Sequence, residues 1–590
     1  MTRISSAFIG TTLILTLAGC ASTQQAQVES PTASENYPTV QLLSWSDFHS
    51  AMYEAVKQDG TARGGLPVFM ASVEKLRGDG LSIVVDGGDM FQGAMPFNEA
   101  KGLGMIEMMN DLKIDVSTFG NHEFDYGPGV KYPESSRGAL REAVEASQFP
   151  WVNANVVAKA DNQDPWPLEN VKPYVFLQKG PYKIAVVGVL ATETPIATIA
   201  ANVEGLEFKS PAETLREIIP EIVEQKPDFV IVDAHITGLP VPLPESGATV
   251  TDVKFDGEIG EILALPDDIK KHINLILAAH SHESFIAHEG DITVIENFNS
   301  GREITTMTLV GDKDGLHIDR GSIKKHELVH EPIDVACGQE KAPLKPIMVA
   351  GEMLMPSQTG VDIVAKYEGK MSENRCDVIG CFTEDIKKSR TGECPLGNMI
   401  ADAMWSYYPQ ADMTLQNAGG VRIDMPKGQI YRESLNALMP FDNYLHLVEV
   451  TGADVIKTLK ISASGKHGHD QVAGVKYQIE ADCKNPEDLN GDGKVEEWEN
   501  NCLCDNILIG GKPLDPQKTY KIATSNFIIN GGDDHLVGFA NAKLIEEGPV
   551  IKKVILDYVS KKAECMSTAS FVNPEQPRII VGSCGGKFAK

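Results

Sequence analysis

Five apolar, strand-like runs in the first half of the chain each end in side chains that bind metal ions. That repetition restricts the fold more than any other feature. Ile114 to Phe119 leads into Gly120-Asn121-His122-Glu123-Phe124-Asp125. Gln41 to Ser46 leads into Asp47-Phe48-His49, and Leu81 to Val85 leads into Asp86-Gly87-Gly88-Asp89. Phe229 to Val232 precedes Asp233-Ala234-His235, and Leu275 to Leu277 precedes Ala279-His280-Ser281-His282. Helical spacing over Leu66 to Leu76, Gly104 to Leu112 and Ala212 to Val223 separates several of these runs. Strands alternating with helices imply an α/β layered domain. Strand ends are where such sheets bind ligands.

Singly, each cluster is ordinary. Asp-x-His is commonly a capped turn, a Gly-Asp pair a plain turn, and two nearby histidines a surface pair. Their shared context carries more. Side chains two apart on extended backbone share a face, so Asp47 and His49 reach one ion. The glycines before Asp89 let backbone crowd a cation, and Asp89 is placed to bridge two. Asn121 offers a neutral oxygen, and His122 a titratable imidazole that Asp125 is near enough to orient. Such a mix of carboxylate, amide and imidazole suits Mn, Zn, Co, Fe or Mg and matches a thiolate zinc site poorly.

At 590 residues the chain needs two or more cores. Its 53 Lys and Arg stand against 82 Asp and Glu, a net charge of −29. No basic surface dominates, which argues against a nucleic-acid polymer as partner. A small anionic substrate is compatible only where metals and Arg make the site locally positive. Arg3, the apolar run Ala7 to Leu17 and then Leu17-Ala18-Gly19-Cys20 have the layout of a secretory leader. The small residues before Cys20 resemble the bacterial lipoprotein cleavage box, with Cys20 as the lipidated residue and membrane anchor. Ala21 to Asn36 reads as a flexible tether. The other nine cysteines all lie after residue 330. Disulfides are expected in an exported protein, and an odd count leaves at least one thiol without an intrachain partner.

In the second half, Pro332 and Pro343 mark an interdomain segment. Arg390 precedes a helix, and Asn417-Ala418-Gly419-Gly420-Val421-Arg422 pairs close backbone approach with a guanidinium that binds phosphate bidentately. Phe441 and Phe527, on separate loops, could sandwich a flat base, though taken singly each reads as a core Phe. Asp488 to Glu499 fits the twelve-position calcium loop, with Asp488, Asn490, Asp492, the Lys494 carbonyl and Glu499 as ligands and Gly493 at the sixth position.

Taken in order, Asp47-x-His49, Gly88-Asp89, Gly120-Asn121-His122-Glu123-x-Asp125, His235 and His280-x-His282 resemble the calcineurin-like metallophosphoesterases. In detail they are similar to the 5'-nucleotidase and UDP-sugar hydrolase group. The resemblance covers nearly all of residues 39 to 585. It implies an α/β protein with a four-layer α/β/β/α metallophosphoesterase domain and a second α/β substrate domain. The expected divisions are 1–19 leader, 20–38 tether, 39–335 catalytic, 336–375 linker and hinge, and 376–590 substrate domain. It implies one divalent ion on Asp47, His49, Asp89 and His282, and a second on Asp89, Asn121, His235 and His280. His122 and Asp125 match the catalytic dyad. Arg390, Asn417, Gly419 and Arg422 match phosphate or nucleotide contacts, Phe441 and Phe527 the base-stacking pair, and Asp533 a ribose or base contact. The family's Gly-Gly-Asp-Gly reads Gly-Gly-Asp-Asp here, ending in Asp534. The expected activity is hydrolysis of nucleoside 5'-phosphates in the cell envelope. The alternatives are UDP-sugars or 2',3'-cyclic nucleotides on the same centre, or metal and nucleotide binding without catalysis.

Overall fold

Alternation of apolar side chains along the strands produces two stacked seven-stranded sheets. The computed structural model describes residues 37–585 apart from 57–60, 161, 314, 333–336, 338–343, 372–374 and 442. Cys20 and the leader lie outside the described residues. The first sheet runs Gly315–Glu327, Glu303–Asp312, Val40–Trp45, Leu81–Asp86, Val116–Thr118, Trp151–Val152 and Val171–Lys172. The second runs Ala248–Thr251, Phe285–Glu289, Ile292–Glu296, Leu275–Ala278, Phe229–His235, Tyr182–Leu190 and Tyr174–Lys179.

One face of each sheet meets the other sheet. Val40, Leu42, Ile83 and Val85 pack with Ile184, Val186, Phe229 and Ile231. The opposite faces bury Leu43, Trp45 and Val84 against the helices Leu66–Arg77 and Leu103–Leu112. They also bury Val187, Val230 and Val232 against Pro211–Glu224 and Gly257–Leu263. The result is the expected α/β/β/α stack. Each such aliphatic or aromatic side chain contributes about 1.5–3 kcal/mol on burial.

Within the range 336–375, expected as linker and hinge, the described residues from Ile347 to Glu368 carry regular structure on the first domain. Ile347–Val349 pairs with Glu352–Leu354, and Gln358–Glu368 is a helix capped by Ser357. Ile363 and Tyr367, four apart on one helical face, complete the first domain's core. That amphipathic spacing explains why the segment folds back.

The second domain is built on a five-stranded sheet in the order Gln471–Ala473, Met413–Gln416, Thr519–Ser525, Tyr444–Thr451 and Lys543–Val550. The helices Pro395–Tyr407 and Ile551–Ser560 share one apolar cluster with this sheet, and Gly452–Ser464 shares another. Four disulfides, Cys337–Cys376, Cys381–Cys565, Cys483–Cys502 and Cys504–Cys584, belong to this half and its junction. Cys394 is buried and unpaired. No helix among the described residues is long and apolar enough to cross a membrane. Contacts group the chain from Pro38 onward into one unit, so both domains build the site described next.

Candidate metal centre and substrate cavity

Parallel pairing brings the ligand clusters together. Trp45 pairs with Asp86 and Asp86 with Ser117, so Asp47, Asp89 and Asn121 leave adjacent strand ends on one sheet. On the other sheet Ala234 pairs with Ala278, which brings His235 beside His280. One atom each from Asp47, His49, Asp89 and His282 lie within 4.8 Å of one another. Asp89, His235 and His280 form a second such group, and Asp89 is common to both.

The backbone is bent to make this possible. Asp47, His49, Asp89, His280 and His282 have φ of 52°, 49°, 50°, 84° and 62°, in the left-handed region. Each such residue costs about 1–3 kcal/mol and persists where surrounding structure over-determines it. Glu123 supplies much of that determination. Its buried carboxylate accepts from the backbone N–H groups of Asp89 at 2.9 Å, Met90 at 2.9 Å and Gly120 at 2.6 Å. Gly120 has to be glycine, because a Cβ there would lie 2.1 Å from Asp89 Oδ1.

Burial and the donor set test whether the centre fits divalent ions. Asp47 and Asp89 are almost inaccessible, at 0% and 2% exposure. Burial pushes the Asp89 carboxyl up, but His235 and His122 outweigh it and hold the group well below the carboxylate range. Asp89 Oδ2 lies 3.2 Å from His235 Nε2, which places a carboxylate and an imidazole side by side in the buried cluster. Asn121 donates from Nδ2 to the Ala197 carbonyl at 3.3 Å. Its Oδ1 is buried and accepts no hydrogen bond among the described residues. An orphaned acceptor beside two carboxylates and four imidazoles is the donor set of a divalent-cation site, and these residues fit such ions.

His122 stands at the edge of this centre. Its Nδ1 lies 2.6 Å from Asp125 Oδ2, and Asp125 Oδ1 accepts from Thr198 Oγ1 at 2.6 Å. Burial would lower the imidazole's pKa, but Asp125 and Asp89 raise it overall. The ring lies nearly parallel to Phe441 of the second domain, with centroids 5.8 Å apart.

Both domains line one cavity of about 350 Å³. Asp89, Asn121, His122, Asp125, His280 and His282 line it from the first domain. Arg390, Asn417, Gly419, Arg422, Phe441, Phe527 and Asp533 face them from the second. Asp47, His49 and His235 sit beneath, within the ligand groups. Arg422 lies over the Phe441 ring, 5.6 Å from its centroid, and Asp533 Oδ2 accepts from Asn417 Nδ2 at 2.7 Å. Gly532 leaves the room that Phe527 occupies, since a Cβ there would meet its ring at 2.4 Å. Asp534 takes φ of 63° and is held by His467 Nε2 at 2.6 Å. The calcium-loop residues Asp488, Asn490, Asp492, Lys494 and Glu499 are not among those lining this cavity.

Sequence reasoning missed several residues here. Glu193, Thr198, Lys466 and His467 also line the cavity. None belongs to a ligand cluster, so spacing gave no signal for them.

The comparisons agree with this geometry. Residues 42–284 match the calcineurin-like phosphoesterase family, and residues 373–540 match the 5'-nucleotidase C-terminal domain. A cell wall protein of Listeria monocytogenes is 26% identical, over 94% of this chain and 72% of its own length. A 5'-nucleotidase of Vibrio cholerae is 23% identical, over 94% of this chain and 96% of its own length. The crystal structure of a 5'-nucleotidase precursor from Thermus thermophilus has the same fold. Its TM-score is 0.70 at 20% identity, covering 93% of this chain and 100% of that one. Two matched domains, meeting at a ligand-rich cavity, establish that the chain belongs to the calcineurin-like phosphoesterases that carry a 5'-nucleotidase C-terminal domain.

Proposed function

We propose that the protein is an extracytoplasmic two-metal 5'-nucleotidase that releases phosphate from nucleoside 5'-phosphates, with Cys20 as its lipid attachment point. One observation carries the proposal: two ligand groups sharing Asp89 face Arg390, Arg422, Phe441 and Phe527 across a single cavity. Asp47, His49, Asp89 and His282 would hold one divalent ion, and Asp89, Asn121, His235 and His280 the other. Bound Mn, Zn, Co or Mg supplies Lewis acidity toward a phosphoryl oxygen and lowers the pKa of water. Four disulfides among the described residues support an oxidising, extracytoplasmic compartment.

The chain's own groups do the rest. Arg422 is half-buried, and its Nη1 donates only weakly to the Gly419 carbonyl at 3.3 Å, so its charge is directed to the substrate phosphate. Arg390 lines the cavity beside it. His122, held through Nδ1 by Asp125, presents Nε2–H to the oxygen that gains charge. Phe441 and Phe527 supply aromatic surface for the base.

Protein stripped of metal and reloaded with Mn or Zn should release phosphate from AMP. Phe527→Ala should then lower kcat/KM for AMP by about 5- to 150-fold, the equivalent of about 1–3 kcal/mol of stacking. Its turnover of p-nitrophenyl phosphate, which has no base, should stay at the wild-type level. The proposal fails if reloaded protein turns over UDP-sugars or 2',3'-cyclic nucleotides but leaves AMP intact.

The 488–499 loop is a further part of the proposal, as a calcium site. Gly491 N–H donates to Asp488 Oδ1 at 2.6 Å and Asp492 N–H to Asn490 Oδ1 at 2.9 Å, which holds the turn. Glu499 is fully buried and accepts from Leu489 N–H at 2.7 Å. The Cys483–Cys502 disulfide closes the base of the loop. Calorimetric titration with CaCl2 should show one site with Kd on the order of 10⁻⁴–10⁻³ M, the range of extracellular modules. Asp488→Ala should abolish it, and no heat with the wild type would remove calcium from the proposal.

A further inference from the structure

Each ligand histidine is held at its outer ring nitrogen, but one is held differently. His49 Nδ1 lies 3.3 Å from the Phe91 carbonyl, and His235 Nδ1 lies 2.9 Å from the Gly87 carbonyl. His282 Nδ1 meets the Asn299 side chain at 3.0 Å. These three rings therefore keep Nε2 toward the cluster, and their partners are neutral. His280 is reversed. Its Nδ1 points inward, 3.3 Å from His235 Nε2, and its Nε2 points outward to Glu193 Oε1 at 3.1 Å.

Glu193 comes from a different part of the chain. It follows the strand Tyr182–Leu190 and directly precedes the short helix Thr194–Ala197. The same segment is tied to the second-sheet ligand, because Ala191 N–H donates to the His235 carbonyl at 2.8 Å. The His280 backbone is in the left-handed region at φ 84°, held by its N–H to Asp47 Oδ1 at 3.2 Å. That contact anchors the backbone and leaves ring rotation to be settled elsewhere.

We propose that Glu193 is a positioning residue for His280: its carboxylate accepts the Nε2–H, fixes the tautomer, and leaves the Nδ1 lone pair facing the ion shared with Asp89 and His235. This rests on the two-ion reading above. A carboxylate on the outer nitrogen of a ligand histidine fixes ring orientation and raises ligand basicity. Lys466 and His467 of the second domain line the same cavity as Glu193.

Lys466 and His467 also suggest a different use for Glu193, as a latch between domains, so the test carries a second arm. Chelator-stripped full-length protein is titrated with Mn or Zn against a competing chelator, in wild type, Glu193→Ala, Glu193→Gln and Lys466→Ala. Glu193→Ala should weaken one of two binding steps by about 10- to 100-fold and leave the other unchanged. The unchanged step reports that the domain is folded. Glu193→Gln should recover part of the loss, because an amide oxygen still accepts from Nε2–H. Lys466→Ala should bind both ions as wild type does. Wild-type affinity at both steps in Glu193→Ala overturns the proposal, and so does an equal loss in Lys466→Ala. Fewer than two ions on wild-type protein would instead defeat the two-ion reading before any variant is compared.

Discussion

Asp89→Asn is expected to leave a folded protein that retains neither ion and loses at least about 1,000-fold in kcat/KM for AMP, which is about 4 kcal/mol of transition-state stabilisation. The size follows from where Asp89 stands. Among the described residues it alone belongs to both ligand groups, so removing its charge weakens both at once. Its Oδ1 also accepts the His122 backbone N–H at 2.8 Å, which ties the shared carboxylate to His122. The amide keeps the shape, and Glu123 still holds the loop through Asp89 N–H. Loss of function is therefore loss of charge rather than of fold. Asp47→Asn is the contrast, since Asp47 belongs to one group and should cost one ion. Elemental analysis after dialysis, set beside phosphate release, checks both. An Asp89→Asn protein that kept two ions would mean that the shared position is occupied by another residue.

Much of the fold was legible because strands and ligands coincide. A buried parallel strand reads as a short apolar run, and the ligands here follow such runs at once. The strands at Val40–Trp45, Leu81–Asp86 and Phe229–His235 match their sequence ranges to within a few residues. The clustering of the candidate ligands was legible for the same reason, together with their resemblance to a known family. Glu193, Thr198, Lys466 and His467 were not, because each reaches the cavity from a loop whose position depends on packing between distant segments. Disulfide pairing was closed to sequence reasoning as well: Cys381 joins Cys565, a separation of 184 residues. The regular structure within 347–368 was not legible, because the reading of that segment rested on Pro332 and Pro343 and on the family resemblance. The Phe441 ring was expected only as a base platform, yet it lies parallel to His122. Nothing in the local sequence ties those two loops together.

His122→Ala should lower kcat by about 10²- to 10⁴-fold, the range for a lost general acid or base, with metal content at the wild-type level. His122 is absent from both ligand groups, although its Nε2 lies 3.9 Å from Asp89 Oδ2. Its nearer partner is Asp125, and that carboxylate is itself held by Thr198. The chain Thr198–Asp125–His122 therefore predicts a graded series. Asp125→Asn keeps the ring but loses the charge that raises its pKa, and should cost less than His122→Ala. Thr198→Val removes one hydrogen bond from Asp125 and should cost least. KM for AMP should change little across the series, because Arg390, Arg422 and Phe527, which line the cavity, are the residues proposed to hold the substrate. Single-turnover rates and bound metal measured on the same samples decide the matter. Loss of an ion along with the rate in His122→Ala would move the ring into the ligand set. Asp125 would then be the outer partner of a metal ligand, the role Glu193 has beside His280.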